Sequence, residues 1–151
     1  MPAETIQRLY DALGRRDGEG AAACYTDDAV FEDPAFGRLE DGAVKDMWRM
    51  LCERSDDLEV VLLEHGADGD EGWAHWSATY TFTGTGRPVV NDIRSRFRFD
   101  GELVRDQVDT FSLRRWGAQA LGPRGTMLAA VGLLGRAVRK QARGNLERYR
   151  G

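Results

Sequence analysis

The sequence predicts an α+β fold, three N-terminal helices followed by long antiparallel strands, with a basic helix added at the C-terminus. Three observations carry this. Apolar residues recur at helical spacing through Leu51, at a period of two from Asp57 to Leu113, and at helical spacing again after Pro123. Helices gathered early and long strands gathered late exclude a parallel α/β sheet, in which the two alternate. A chain of 151 residues suffices for one domain with a real core; roughly two-thirds of the unfolded surface is buried at this size, without a metal or disulfide staple.

Ile6, Leu9, Tyr10 and Leu13 fall on one helical face and predict a helix over 4–16, with Gly18 available to end it. Residues 19–25 read as a second, short helix running into a turn at Asp27 and Asp28. Ala29-Val30-Phe31 is a short apolar strand that ends on Glu32-Asp33-Pro34. Val44, Met47, Trp48 and Leu51 predict a third helix over 40–53. Leu58 to His65 is the next strand, followed by Gly72 to Thr83, which sets Ala74, Trp76, Ala78, Tyr80 and Phe82 on one face. Gly84 and Gly86 supply the turn. Val90 to Asp100 alternates Ile93, Ser95, Phe97 and Phe99 with Asp92, Arg94, Arg96 and Arg98. Asp100-Gly101 makes a tight hairpin into a last strand, Glu102 to Leu113.

Gly122-Pro123 then breaks the chain. Leu128, Val131, Leu134, Val138, Ala142, Leu146 and Tyr149 follow helical spacing, with basic residues between them and possible interruptions at Gly132, Gly135 or Gly144. Residues 1–121 are therefore expected to form the domain and 122–151 an amphipathic basic extension. Charge divides at the same place. Residues 1–121 hold 24 acidic and 14 basic side chains, a net of −10, whereas 122–151 hold 7 basic and 1 acidic, a net of +6. Two readings of the extension follow: an apolar face laid over the sheet or a pocket mouth, which is favoured, or an interfacial helix on an anionic membrane surface.

Several function classes drop out. Cys24 and Cys52 are too few for a disulfide framework and lack zinc-like spacing, so both read as small buried hydrophobes in a reducing compartment. No apolar signal core follows Met1 and no apolar run is long enough to span a membrane, so the expected location is the cytoplasm. His65 and His75 have no carboxylate at ligand spacing, and no metal is expected. There is no Gly-rich phosphate loop and no serine nucleophile motif, and no aromatics interleave with bases as in single-strand nucleic-acid binders; neither a cofactor nor nucleic acid is expected. The Arg94, Arg96 and Arg98 stripe faces outward and suits acids on a neighbouring strand or a second subunit.

Asp33 is the leading candidate for chemistry. Pro34 fixes its own φ and keeps Asp33 extended, which would aim a base; the competing reading is a carboxylate that caps the turn before Pro34. Thr26-Asp27-Asp28-Ala29-Val30-Phe31-Glu32-Asp33-Pro34, Arg16-Asp17 at a helix end and Phe97-Arg98-Phe99-Asp100-Gly101 together resemble the nuclear transport factor 2-like superfamily over residues 1 to about 116. Within it the chain is similar to the ketosteroid isomerase-like and SnoaL-like (polyketide cyclase) branch. That resemblance implies a cone-shaped curved antiparallel sheet packed on the three N-terminal helices, a deep pocket, an aspartate base at Asp33, and a tyrosine and a protonated acid that stabilise an enolate. Only the base transfers cleanly. Leu9 stands at the tyrosine position, with Tyr10 one residue further round the helix, and Ser95 stands at the position of the acid. Steroid isomerisation itself is therefore not expected.

A different polar set remains for the pocket. Asn91 and Ser95 share the face of Phe97, and Asp109 shares that of Phe111 and Leu113, a setting that raises a carboxyl pKa unless the group is partnered. Asp33, Asn91, Ser95 and Asp109 are the catalytic candidates, with Tyr10, Trp76, Tyr80 and Phe97 as substrate-binding walls. The alternative is that Asn91 and Asp109 bond each other or nearby backbone. The expected activity is acid-base catalysis of the isomerase or cyclase type on a small apolar, carbonyl-containing or polycyclic ligand, with Asp33 removing a proton, Asn91 or Ser95 donating to the oxygen and a neutral Asp109 assisting. The rival is a non-catalytic ligand-binding or assembly module. A homodimer through the outer sheet face is expected in either case.

Overall fold

The computed structural model describes residues 1–151 as six strands and six helices built on one sheet. Helix α1 (Pro2–Gly14) starts on a proline in its first turn, where a missing N–H costs nothing, and buries Ile6, Leu9, Tyr10 and Leu13. Helix α2 (Gly18–Ala22) is capped by the Asp17 carboxylate, which accepts from the Gly20 N–H at 2.9 Å. It backs onto α3 (Gly42–Arg54) so closely that a side chain at Gly18 would strike the Arg49 backbone.

Strand β1 (Tyr25–Asp33) begins earlier than the apolar run suggests, because Tyr25 already pairs with Val104 of β6 (Leu103–Thr110). Asp27 and Asp28, expected in a turn, thus lie exposed within a strand, and Lys45 of α3 reaches Asp27 at 2.8 Å. After Pro34 the chain folds back as β2 (Gly37–Leu39), too short for a periodic signal. Strands β3 (Glu59–Asp68), β4 (Glu71–Phe82), β5 (Arg87–Asp100) and β6 complete a sheet of order β2-β1-β6-β5-β4-β3. Pairing is antiparallel except between β1 and β6. Register shifts between Leu62 and Glu64 and between Arg98 and Phe99 break the regular ladder where the sheet curves around the helices.

Strand β5 alternates without a fault: Val89, Asn91, Ile93, Ser95, Phe97 and Phe99 are buried, and the residues between them are exposed. Its inner face and the inner faces of β1, β4 and β6 meet α1 and α3 in the main core, around Tyr25, Phe31, Ile6, Leu9, Leu13 and Met47. Cys24 and Cys52 lie there as free thiols.

The end of the chain departs from expectation. Strand β6 stops at Thr110 rather than Leu113, because the Ser112 hydroxyl accepts from the Arg115 N–H at 3.2 Å and starts helix α4 (Leu113–Leu121). Helix α5 (Pro123–Ala130) turns back on α4, with Gly125 so close to the Gly117 carbonyl that no side chain fits between them. The extension is then interrupted at Gly132, whose φ of +77° favours glycine, before α6 (Leu134–Arg150). Leu134, Val138 and Leu146 are buried, and Leu128 is half-buried, but Val131, expected on the same covered face, falls in the corner between the helices and is 62 % exposed. Val89, Trp116, Ala120, Leu134 and Val138 form a second, smaller core that fastens α4 and α6 to the end of β5. No helix is long and apolar enough to cross a membrane.

Candidate active site

The concave face of the sheet and helices α3 to α6 enclose a cavity of about 440 Å³, lined mainly by apolar side chains. Asp33 reaches it from the end of β1. Its Oδ1 accepts from the N–H groups of Ala35 and Phe36 at 2.9 and 2.6 Å, so Asp33 does cap the turn after Pro34. The same carboxylate lines the cavity, and Oδ2 takes no hydrogen bond from the protein. One oxygen thus caps the turn, and the other is left to the cavity. Desolvation outweighs the two backbone bonds and pushes the carboxyl up to about 6.

Asp109 approaches from β6, directly opposite Ser95 of β5. Its Oδ1 accepts from the Ser95 hydroxyl at 2.5 Å and from the Gln107 amide at 2.8 Å, and burial raises it to about 7 despite these bonds, with the Asp33 charge adding to the rise. Oδ2 has no protein partner. Thr26 Oγ1 is the sole fully enclosed side-chain polar atom without one, so Oδ2 of Asp109 opens to the cavity. With Oδ1 already accepting two hydrogens, a proton on neutral Asp109 resides on Oδ2 and points at whatever fills the cavity.

Asn91 lines the same cavity at 8 % exposure and its amide makes no hydrogen bond within the protein. It therefore bonds neither Asp109 nor nearby backbone, the two partners of the alternative reading. A buried amide without partners is costly unless a ligand or water completes it.

Ser95 plays another part than the expected one. Its hydroxyl accepts from Tyr10 at 3.0 Å and from Trp76 Nε1 at 2.9 Å while donating to Asp109, so it has nothing left for a substrate and does not line the cavity. Tyr10 and Phe97 likewise lie outside the cavity lining; the Tyr10 ring packs on Trp76 at 4.9 Å and on Phe97 at 6.4 Å between centroids. Trp76 and Tyr80 do line it. The Tyr80 hydroxyl accepts from Trp116 Nε1 at 2.7 Å and keeps its own proton free to donate.

Three groups were not among the expected site residues. Gln107 holds Asp109, the Tyr25 hydroxyl donates to Gln107, and Trp48 Nε1 donates to Tyr25 at 2.8 Å. Gln107 stands two positions before Asp109 on one strand, so alternation alone places them together; Tyr25 and Trp48 carry no such local signal. His75 faces away from this site and bonds Asp92 at 2.6 Å. No group of three or more His, Cys, Asp or Glu side chains gathers at ligand distances.

A six-stranded curved sheet, helices packed in its hollow and polar groups at one cavity define the cone fold of the nuclear transport factor 2-like superfamily. The sequence pattern of the SnoaL-like domain matches residues 6–107, and the chain belongs to that family. Among solved structures it is similar to a hypothetical protein of ketosteroid isomerase-like fold from Catenulispora acidiphila, in complex with trimethylamine, at 16 % identity and a TM-score of 0.70, covering 82 % of this chain and 96 % of that one. It is similar to an epoxide hydrolase of the LEH-like type from M. tuberculosis at 21 % identity and a TM-score of 0.66, covering 87 % and 96 %. It is also similar to IdmH, a putative polyketide cyclase from Streptomyces antibioticus, at 18 % identity and a TM-score of 0.66, covering 79 % and 97 %. No curated protein matches it by sequence.

Proposed function

We propose that the protein catalyses proton transfer on a small, apolar, carbonyl-containing or polycyclic substrate, as an isomerase or cyclase. The observation that carries this reading is the unequal pair of carboxyls at one apolar cavity, with Asp33 raised to about 6 and Asp109 to about 7. Near neutral pH the favoured arrangement is ionised Asp33 with neutral Asp109, since each charge opposes the other, which is a base and an acid in one site. The similarity to a ketosteroid isomerase-like fold and to a putative polyketide cyclase is consistent with it.

In the proposed mechanism Asp33 Oδ2 takes a proton α to the substrate carbonyl. The electrons move onto the carbonyl oxygen, which receives hydrogen bonds from Asp109 Oδ2–H and the Asn91 amide. Return of the proton from Asp33 to a different carbon completes an isomerisation. In a cyclisation the enolate carbon attacks a second carbonyl of the same molecule, and the new alkoxide is protonated from Asp109. Trp76 and Tyr80 hold the apolar body and exclude water.

Hydrogen exchange tests the first step. Cyclic and polycyclic ketones incubated with the protein in heavy water are expected to gain deuterium at the α carbon with wild type and not with Asp33→Asn. Equal exchange by the two proteins rejects Asp33 as the base.

A further inference from the structure

The corner between α5 and α6 presents three large apolar side chains to solvent. Met127 is 67 % exposed, Val131 62 % and Leu133 47 %. They lie within seven positions, on either side of Gly132, which separates the two helices. Arg124 precedes them and Arg136, Arg139 and Lys140 follow, all exposed, and none of these four forms an ion pair. From Thr110 to Leu146 the chain holds seven basic side chains and no acidic one. Elsewhere the bases of α6 are used internally: Arg143 donates to the carbonyls of Phe36 and Arg38 at 2.8 Å, and Arg150 meets Asp46 at 3.0 Å.

We infer that this corner docks on an anionic lipid surface. Exposed apolar side chains flanked in sequence by unpaired cations match the acyl boundary and the anionic headgroups together, whereas either feature alone would be an ordinary solvated surface. A second copy of the chain is a poorer match, because three side chains fall far short of the roughly 800 Å² per partner that a stable protein interface buries. The apolar stripe of α6 itself plays no part, since Leu134, Val138 and Leu146 face the body. Leu128, Val138 and Gln141 of the same two helices line the cavity, so a docked corner brings the wall of the cavity against the bilayer, a route for an apolar ligand. The inference does not depend on whether the cavity is catalytic.

Co-sedimentation of the full chain with vesicles tests it. The protein is expected to bind vesicles of phosphatidylglycerol mixed with phosphatidylcholine, to ignore phosphatidylcholine alone, and to release as salt rises. Val131→Asp/Leu133→Asp should abolish binding, and Arg136→Gln/Lys140→Gln should weaken it roughly twenty-five-fold, about fivefold per charge. The second pair touches only exposed side chains, so it decides the matter if the first variant melts early. No binding to anionic vesicles, or binding unchanged in the charge variant, overturns the inference. So does a corner variant that lowers the sedimenting mass without vesicles, which would make the corner a contact between copies.

Discussion

The proposed base and acid, Asp33 and Asp109, are also structural carboxylates. Each spends one oxygen on protein donors and leaves the other at the cavity, and burial shifts the balance toward the neutral form, further for Asp109 than for Asp33. Asp33→Asn retains an oxygen for the Ala35 and Phe36 N–H groups, so it should fold as wild type while losing turnover at least a hundredfold, roughly the contribution of one general base. Asp109→Asn keeps the bonds from Ser95 and Gln107 and replaces the acid with an amide donor. Wild-type rate should rise as Asp33 ionises near 6 and fall as Asp109 loses its proton near 7; in Asp109→Asn the alkaline fall should vanish. A pH–rate profile of the two proteins checks this, and an alkaline limb that survives the substitution removes Asp109 as the acid. Stability has a sign of its own. Both folded pKa values exceed the unfolded value of 3.8, so the folded state binds more protons between 3.8 and about 7, and stability present at low pH is lost as pH rises through that window. For Asp109 the loss is on the order of a few kcal/mol. Asp109→Asn should therefore melt at or above the wild-type temperature at pH 8, and a large fall there would contradict the desolvated carboxyl.

At the scale of elements, strict alternation made β4 and β5 readable from the sequence. Asn91 and Ser95 could be placed on the inner face because every second residue from Val89 to Phe99 is buried. The role of Ser95 was not readable, because Tyr10 and Trp76, which consume its hydroxyl, come from elements far away in the chain. Strand β2 and the start of β1 were hidden for the opposite reason: partners, not periodicity, define them. In the extension, helical spacing ran on through Val131, but the left-handed Gly132 ends one helix and turns the next, so a stripe continuous in sequence is broken in space. Deleting residues 123–151 removes Leu134, Val138 and Leu146 from the two cores and takes away one wall of the cavity. At ~1.5–3 kcal/mol per buried aliphatic side chain, the loss rivals the whole stability of a domain. The truncated protein is expected to melt far lower and aggregate; an unchanged melting temperature would show that the extension does not support the body.

On the scale of the whole molecule, the outer sheet face remains open. Val61, Leu63, Trp73 and Val108 are exposed there, beside the outward Arg94, Arg96 and Arg98, of which Arg98 pairs with Glu71 at 3.3 Å. An apolar and charged mixture of this extent suits a second copy of the sheet, and a homodimer is proposed on that ground. Sedimentation at micromolar concentration should report about twice 16.9 kDa, and Trp73→Glu should shift the mass to that of one chain. A monomer at every accessible concentration removes the dimer. The charge of the body, −10 over residues 1–121, and the +6 of the remainder are joined in the fold by contacts such as Arg150 with Asp46. That division was legible at once, and a pocket mouth covered by the extension was among the favoured expectations; which of its residues line the cavity, Leu128, Val138 and Gln141 among them, follows only from the fold.

The central claim is that one apolar cavity holds a base and an acid poised near neutral pH. Carbon NMR of the side-chain carboxyls, titrated in the intact protein with Asp33→Asn and Asp109→Asn to assign the signals, measures it directly. The account predicts one carboxyl titrating near 6 that disappears in Asp33→Asn, and one near 7 that disappears in Asp109→Asn. Loss of the Asp33 charge should also lower the Asp109 midpoint. Two carboxyls that both titrate near the ordinary aspartate value of about 4 would contradict it.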